Sequence, residues 1–292
     1  MGAWSTRPLT GGMTDNAANT QNMTVVVTGA SGRTGSRVAQ AARAAGLTVR
    51  AASRAQGFDW EDPTTWAQTL RDADAAYLMY PSDVGAPAAA EGIGALAREA
   101  VGLGVRRLVL LSARGEQQAL ATEEALKASG GDWTVVRASW FAQNFSEGPL
   151  VEGLSHGELV FPAGEVKEPF VDARDIADVV VAVLTSRDRW VGRTVELTGP
   201  RLLSFREAVA EISEVTGTKL RYTPVPARAY GEALTGFGVP PEEAEFLVEV
   251  FEGLLDGRNC HLTDGVREVL GREPRDFSDF VREAAAAGTW KV

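Results

Sequence analysis

Thr24-Val-Val-Val-Thr28 followed by Gly29-Ala-Ser-Gly32-Arg-Thr-Gly35 is the stretch on which the fold turns. A continuous β-branched run bounded by glycine reads as a strand buried on both faces, as in parallel sheets. The glycines then meet a specific demand. Gly29 permits a tight turn, Gly32 lets backbone approach a pyrophosphate, and Gly35 allows close helix–strand packing. Exposed N–H groups of the turn, with the positive end of a helix running from about Ser36 to Ala45, suit phosphate oxygens. The spacing is Gly-x-x-Gly-x-x-Gly rather than Gly-x-Gly-x-x-Gly, so its weight comes from the strand–turn–helix context. Gly29, Ala30, Ser31, Gly32, Arg33, Thr34 and Gly35 are therefore candidate dinucleotide contacts.

Working outward, Gly46 closes the first helix, and residues 47–52 read as a second strand. Asp62-Pro63 starts a helix, with Asp as cap and Pro at the first helical position. Strands follow at 75–79, 106–112 and 133–137, separated by helices at about 87–101 and 117–129. This alternation predicts an α/β architecture, a doubly wound parallel sheet of the Rossmann type.

The second half is less regular. Phe170-Val171 reads as a short strand, and Asp172 to Asp175 cap a helix reaching about Leu184. Thr194–Leu197 is a late strand. Ser204-Phe-Arg-Glu207 is a capping box, opening a helix that Gly217 ends. Residues 220–225 suit an edge strand, because Pro224 and Pro226 cannot donate ladder hydrogen bonds. Helices near 227–235, 241–255, 264–270 and 277–287 complete the chain. The sequence predicts a flexible extension or tag over residues 1–22, then one unit over 23–292. Its smaller, mostly helical substrate lobe comes mainly from about 140–170 and 200–292.

The end of the second strand selects the cofactor. An NAD site usually places Asp or Glu about 20 residues beyond the turn, on the ribose hydroxyls. Here Ala51-Ala52-Ser53-Arg54 offers a hydroxyl and a guanidinium fork, suited to a 2′-phosphate, with Arg33 as a second positive charge. NADP is the expected cofactor.

Composition sets outer limits. The 292 residues are 45% hydrophobic, and 29 Lys and Arg against 39 Asp and Glu leave a net charge of −10. That balance argues against nucleic acid or an anionic membrane surface as the main partner. One cysteine, Cys260, excludes an internal disulfide and any multi-cysteine metal site. No apolar run approaches the ~18–20 residues of a membrane span. The expected setting is cytoplasmic, the partner a small-molecule substrate, and the chain a monomer or homodimer.

The chain resembles the atypical short-chain dehydrogenase/reductases of the NmrA-like group from Thr24 to its end. The markers are TGASGRTG at 28–35, Ala121-Thr-Glu-Glu-Ala-Leu-Lys-Ala-Ser-Gly130, Trp133-Thr-Val-Val-Arg137 and Trp140-Phe-Ala-Gln-Asn144-Phe. Pro169-Phe-Val-Asp-Ala-Arg-Asp-Ile-Ala177 and Leu197-Thr-Gly-Pro-Arg-Leu-Leu-Ser204 continue the likeness. It is similar to two branches, the quinone oxidoreductase 2-like enzymes (with triphenylmethane reductases) and the festuclavine/agroclavine dehydrogenase-like iminium reductases. The resemblance implies that Ser53 and Arg54 hold the adenosine phosphate, with Asp59 and Trp60 near adenine. It also implies that Tyr80-Pro81, Ser112 and Ala138 to Phe141, including Trp140, surround the nicotinamide, and that Asn144 is a structural anchor.

Carbonyl reduction in the wider superfamily uses Tyr-x-x-x-Lys. Four residues before Lys127, Lys167, Lys219 and Lys291 stand Glu123, Ala163, Val215 and Ala287, so no such dyad exists. Lys127 reads as a surface partner of Glu123. General acid help is worth roughly 10²–10⁴-fold to ketone reduction. Iminium ions, quinones and extended π-electrophiles need it less, which narrows the acceptor. Tyr80 and Ser112 are the candidate donors to a quinone oxygen. Arg114, Trp140, Phe141, Phe145 and Phe170 are candidate substrate contacts, with core packing the competing account for each aromatic.

His156 and His261 lack metal-ligand spacing, Asp172 and Asp175 suit helix capping, and Glu242, Glu243 and Glu245 suit a solvated helix start. Cys260 has no adjacent base. The expected activity is NADPH-dependent reduction of an iminium, quinone or conjugated aromatic metabolite, in specialised metabolism. The alternatives are a redox-sensing regulator that binds NADP(H) without turnover and a non-redox isomerase, cyclase or lyase.

Overall fold

The computed structural model describes residues 23–186 and 188–290. The predicted N-terminal extension, residues 1–22, and Lys291 lie outside the described residues. In chain order the first unit is β1 (Thr24–Thr28), α1 (Arg33–Ala44), β2 (Thr48–Ala52), α2 (Trp66–Leu70), β3 (Ala75–Leu78), α3 (Ala89–Gly102), β4 (Arg107–Ala113), α4 (Ala119–Lys127) and β5 (Asp132–Ala138). Then come α5 (Pro149–Ser155), β6 (Glu158–Phe161), β7 (Lys167–Glu168), α6 (Ala173–Thr185), β8 (Arg193–Leu197), β9 (Leu203–Ser204) and α7 (Phe205–Thr216). The chain closes with β10 (Arg221–Pro224), α8 (Ala227–Gly236), α9 (Pro241–Leu254), α10 (Gly265–Leu270) and α11 (Phe277–Ala286).

Six strands form a parallel sheet in the order β2-β1-β3-β4-β5-β8. Side chains alternate across it with period two. Val25, Val27, Tyr77, Val109 and Val136 pack on the α1–α6 face with Val38, Ile176 and Val180. Val26, Ala76, Leu78, Leu108, Leu110 and Val135 pack on the other face with Ile93, Leu96 and Leu126. The apolar runs of the sequence are thus buried on both sides. The strand order reverses about β1, because β2 lies on one flank and β3 on the other, so the carboxyl ends of β1 and β3 open the crevice where such sheets bind ligands.

The second lobe is built on an aromatic core. Phe145, Phe161, Phe170, Phe205 and Phe277 are fully buried there, with Phe205 at ring-centroid distances of 5.0 Å from Phe161 and 5.2 Å from Phe170. The first pair is stacked and the second edge-to-face, and aromatic contacts of both kinds add to area burial. The lobe is fastened by arginines. Arg201 bonds both Glu211 and Asp276, while Arg272 and the backbone N–H of Arg275 bond the buried Asp175 at 2.7 Å each. Trp290 Nε1 donates to the Phe145 carbonyl at 2.8 Å, tying the end of the described chain to the segment after β5.

Several expectations are corrected. The first helix opens at Arg33 rather than Ser36, because Gly32 in extended conformation is already its cap. Asp62 caps a 3₁₀ turn over Pro63–Thr65, which leads into the short α2. Phe170-Val171 makes no regular strand, only a single bridge from Val171 to Phe141. The edge strand at 220–225 exists as β10, but its parallel partner is β6, which the sequence did not reveal. The Ser204 capping box forms in both directions, with Glu207 N–H to Ser204 Oγ at 3.1 Å and Ser204 N–H to Glu207 Oε2 at 2.7 Å.

Candidate functional site

The glycine turn leaves β1 at Thr28, whose hydroxyl accepts from Met79 N–H at 2.8 Å and so locks the ends of β1 and β3 together. Gly29 has φ +61° and lies against Met79, where a Cβ would come within 2.3 Å of its sulfur. At Gly35 a Cβ would come 2.1 Å from the Gly29 carbonyl oxygen, so only glycine admits this helix so close to the turn. Gly32 and Ser31 are exposed. No side chain caps α1, so its first N–H groups face the crevice without an intrahelical partner. Thr34 is turned inward and accepts from the buried Tyr77 hydroxyl at 3.1 Å. Burial holds the Tyr77 phenol well above its usual range.

Parallel register places Thr28 beside Ala52, which brings Ser53 level with the turn. Arg54 follows on an exposed 3₁₀ turn, Arg54–Gln56, and its guanidinium has no partner among the described residues. Beside it Phe58, Trp60, Trp66 and Tyr80 form an aromatic box, with Trp60 to Tyr80 at 5.2 Å and Trp60 to Phe58 at 5.5 Å. Asp59 accepts from Glu61 N–H at 3.0 Å, and its carbonyl takes the Trp66 indole N–H at 2.7 Å. Tyr80 lies over Gly92 of α3, so its ring belongs to this box. Pro81 is exposed. A separate cleft of about 510 Å³, lined by Arg43, Val49, Arg50, Gln56, Gln68 and Thr69, flanks the middle of edge strand β2 rather than the strand ends.

Arg33 is committed elsewhere than the sequence suggested. Its guanidinium donates to Asn144, and Arg37 pairs with Glu147, so the first two turns of α1 clamp the segment after β5. The exposed guanidinium at the end of β2 is Arg54's.

Four expected substrate contacts are placed in the framework. Ser112 donates its hydroxyl to Glu123 at 2.7 Å, and Arg137 grips the same carboxylate at 2.7 Å with two nitrogens. Glu123 is fully buried rather than on the surface; Lys127 stands 3.9 Å from it as the expected i,i+4 ion pair and closer to Glu124, at 2.8 Å. A buried carboxylate must be satisfied, and Ser112 serves that need. Arg114 is also buried, bonded to Glu196 at 3.3 Å, the Asn259 carbonyl at 2.9 Å and His261 at 2.5 Å. Phe145 and Phe170 are 0% and 2% exposed within the aromatic core and face no open surface. Ala138 is buried at the end of β5, while Trp140 and Phe141 are half-buried just beyond it. Trp140 packs edge-on against Phe161 and Phe205, both at 5.6 Å.

Two glutamates carry chemistry that sequence reasoning missed. Glu116, in the loop after β4, is 4% exposed, and neither oxygen accepts a hydrogen bond from a donor group of the described residues, while the Asp83 carboxyl stands beside it where a protonated Glu116 can bond to it. It lies over Gly85, where a Cβ would come 1.9 Å from Oε1, and next to Asp83. Burial and then the adjacent Asp83 carboxyl push it up to about 9. Glu168 on β7 is 0% exposed, with no partner among the described residues, and burial pushes it up to about 7. Neither residue stands in a motif, and only their burial marks them. Asp172 caps α6 as expected, whereas Asp175 is an anchor for α10 and α11. His156 and Cys260 are exposed, as are Glu242, Glu243 and Glu245, and no metal-holding cluster occurs among the described residues. Among the described residues no helix is long and apolar enough to cross a membrane.

The parallel sheet, its reversal at β1 and the glycine turn at a helix N-terminus define a nucleotide-binding protein of the NAD(P)H class, and the NAD(P)H-binding family profile matches residues 29–187. The NmrA-like family profile matches residues 118–270, and the chain belongs to that family. Among its relatives is the (4-alkanoyl-5-oxo-2,5-dihydrofuran-3-yl)methyl phosphate reductase of Streptomyces griseus, 31% identical, with 90% of this chain and 98% of the relative covered. A festuclavine dehydrogenase of Aspergillus fumigatus is 27% identical, with 90% and 98% covered. The fold is also that of the Escherichia coli NADPH-dependent quinone oxidoreductase solved with NADPH, at TM-score 0.71 and 22% identity over 89% of this chain and 99% of that one.

Proposed function

We propose that this chain is an NADPH-dependent reductase that transfers hydride to a small electrophilic acceptor, an iminium, quinone or conjugated aromatic metabolite, without a Tyr–Lys dyad. One observation carries the reading: an uncapped, glycine-lined helix start stands level with Ser53 and a partnerless Arg54 at the end of β2. Residues 29–35 take the pyrophosphate, with Gly29 and Gly35 making room for backbone. Ser53 and Arg54 take the 2′-phosphate, and no carboxylate stands there to repel it. Asp59 and Trp60 flank adenine, and Tyr80, whose ring meets Trp60 at 5.2 Å, stands with Pro81, Ala138, Trp140 and Phe141 toward the nicotinamide end. When bound, the dinucleotide supplies the hydride. The protein's part is to orient the acceptor beside the ends of β3, β4 and β5 and to exclude water with the second lobe. Names among the relatives, a reductase of an unsaturated lactone phosphate and a festuclavine dehydrogenase, support acceptors of this electronic type.

The test is an NADPH-oxidation screen over quinones, cyclic imines and cationic dyes, preceded by a cofactor titration. NADPH binding with acceptor-dependent oxidation is expected. NADPH binding without oxidation by any acceptor would point instead to a non-turnover sensor, and product formation without net NADPH consumption to an isomerase, cyclase or lyase.

A further inference from the structure

Ser139 and Pro169 join the segment after β5 to the end of β7, through Ser139 Oγ to the Pro169 carbonyl at 2.6 Å, and Val171 N–H to the Trp140 carbonyl at 2.9 Å continues the join. Trp140 follows Ser139 directly, and Glu168 precedes Pro169 directly. Across this short pairing stand two polar groups with no partner among the described residues, the Trp140 indole N–H and the Glu168 carboxyl. Buried polar atoms are nearly always satisfied, and two left open on adjoining hydrogen-bonded segments point to a place where a ligand can complete the bonding. The surroundings are aromatic. Trp140 is flanked by Phe161, Phe205 and, at 6.0 Å, Phe251.

We infer that Trp140 and Glu168 form an oxygen-binding subsite for a neutral, planar conjugated carbonyl, with the indole N–H and a protonated Glu168 donating to one acceptor oxygen. This deepens the reductase reading and rests on it for the identity of the site. A buried carboxyl with neither ion pair nor hydrogen bond keeps its proton, because the charged form has lost its water. Burial accordingly holds Glu168 at about 7. The charges that face it are Arg114, which favours ionisation, and Asp256, which opposes it. Both are engaged already: Arg114 by Glu196, Asn259 and His261, and Asp256 by Arg258 at 2.6 Å. Lys167, next in sequence, pairs with Glu207 at 3.1 Å. Glu168 is thus a donor at and below neutrality, the same hand as the indole. Two converging donors select an oxygen acceptor and disfavour a cationic nitrogen.

The test uses binding, so that it stands apart from turnover. 1,4-Naphthoquinone and the cation N-methylquinolinium are titrated into the NADP-saturated protein at pH 6, 7 and 8.5. Naphthoquinone affinity is expected to fall about tenfold between pH 7 and 8.5 as Glu168 loses its proton. In E168Q, which keeps a donor but cannot titrate, that fall disappears. In W140F, which keeps a ring but loses the N–H, affinity drops about fivefold with the pH dependence intact. A pH step that survives in E168Q, a flat wild-type profile, absent naphthoquinone binding, or a preference for the cation that grows with pH each overturns the inference. A protein that binds naphthoquinone as described yet oxidises no NADPH would overturn the reductase reading alone.

Discussion

The two sides of the crevice are built by opposite means. On the nucleotide side, backbone does the work: a strand, a turn whose glycines clear space, and a helix start with unpaired N–H groups. On the side proposed for the acceptor, the surface is assembled from side chains delivered by distant segments, the loops after β4 and β5, β7 and the helices beyond residue 200. Those segments are held by Arg33–Asn144, Arg37–Glu147, Arg201–Asp276 and Arg114–Glu196. A backbone site tolerates side-chain drift and fails when its glycines change. A side-chain site keeps its place through packing and charge pairing, and its chemistry shifts with single substitutions.

The sharpest way to break the first side is Gly35→Ala. The added Cβ would meet the Gly29 carbonyl oxygen at 2.1 Å, and backbone cannot swing aside as a flexible side chain can. NADPH affinity is expected to fall ~100-fold or more, with a stability loss of about 3 kcal/mol, read by calorimetric titration and thermal melting. Near-normal affinity would show that the turn is not where the dinucleotide sits.

The second side is broken by Phe205→Ala. Phe205 is fully buried among Trp140, Phe145, Phe161, Phe170 and Tyr222. The loss is about 3–5 kcal/mol by denaturant unfolding. Where the protein remains folded, NADPH affinity should fall far less than in Gly35→Ala, within about tenfold, because Phe205 touches the proposed cofactor site only through Trp140, at 5.6 Å, and not the glycine turn or Arg54. A comparable collapse of NADPH binding in the folded variant would contradict the division of labour.

A smaller effect sharpens the comparison at its seam. Glu116 is held at about 9 in the folded chain, against an ordinary carboxyl in the unfolded one. The folded state therefore keeps a proton that the unfolded state releases, and the associated stability is lost as pH rises from the ordinary carboxyl range toward 9. E116Q removes this slope. Its melting temperature should gain on the wild type with rising pH, by about 2–4 °C for each kcal/mol relieved. Parallel melting curves at pH 6 and 9 would show that Glu116 is already ionised.

The same contrast explains what could be read beforehand. β1, the glycine turn and the strand–helix alternation rest on local periodicity and on residue types with one conformational meaning, so they were legible. So were the Asp172 cap and the Ser204 box, which are contacts within a few residues. β6 was not, because it is only four residues long and its partner β10 lies some sixty residues on. Ser112 and Arg114 were sought as substrate contacts because they end a strand at the right edge. Their actual partners, Glu123, Asn259 and His261, come from a helix and a distant loop that no local pattern links to them. Glu116 and Glu168 are two among many glutamates until the fold buries them.

The central claim is that a 2′-phosphorylated dinucleotide lies along the turn with its extra phosphate on Arg54. Parallel titration of the wild type and R54E with NADPH and NADH tests it most directly. The account predicts at least ~10-fold preference for NADPH in the wild type, abolished or reversed in R54E with NADH affinity nearly unchanged. Equal affinity for both dinucleotides in the wild type, or a preference that survives in R54E, contradicts it.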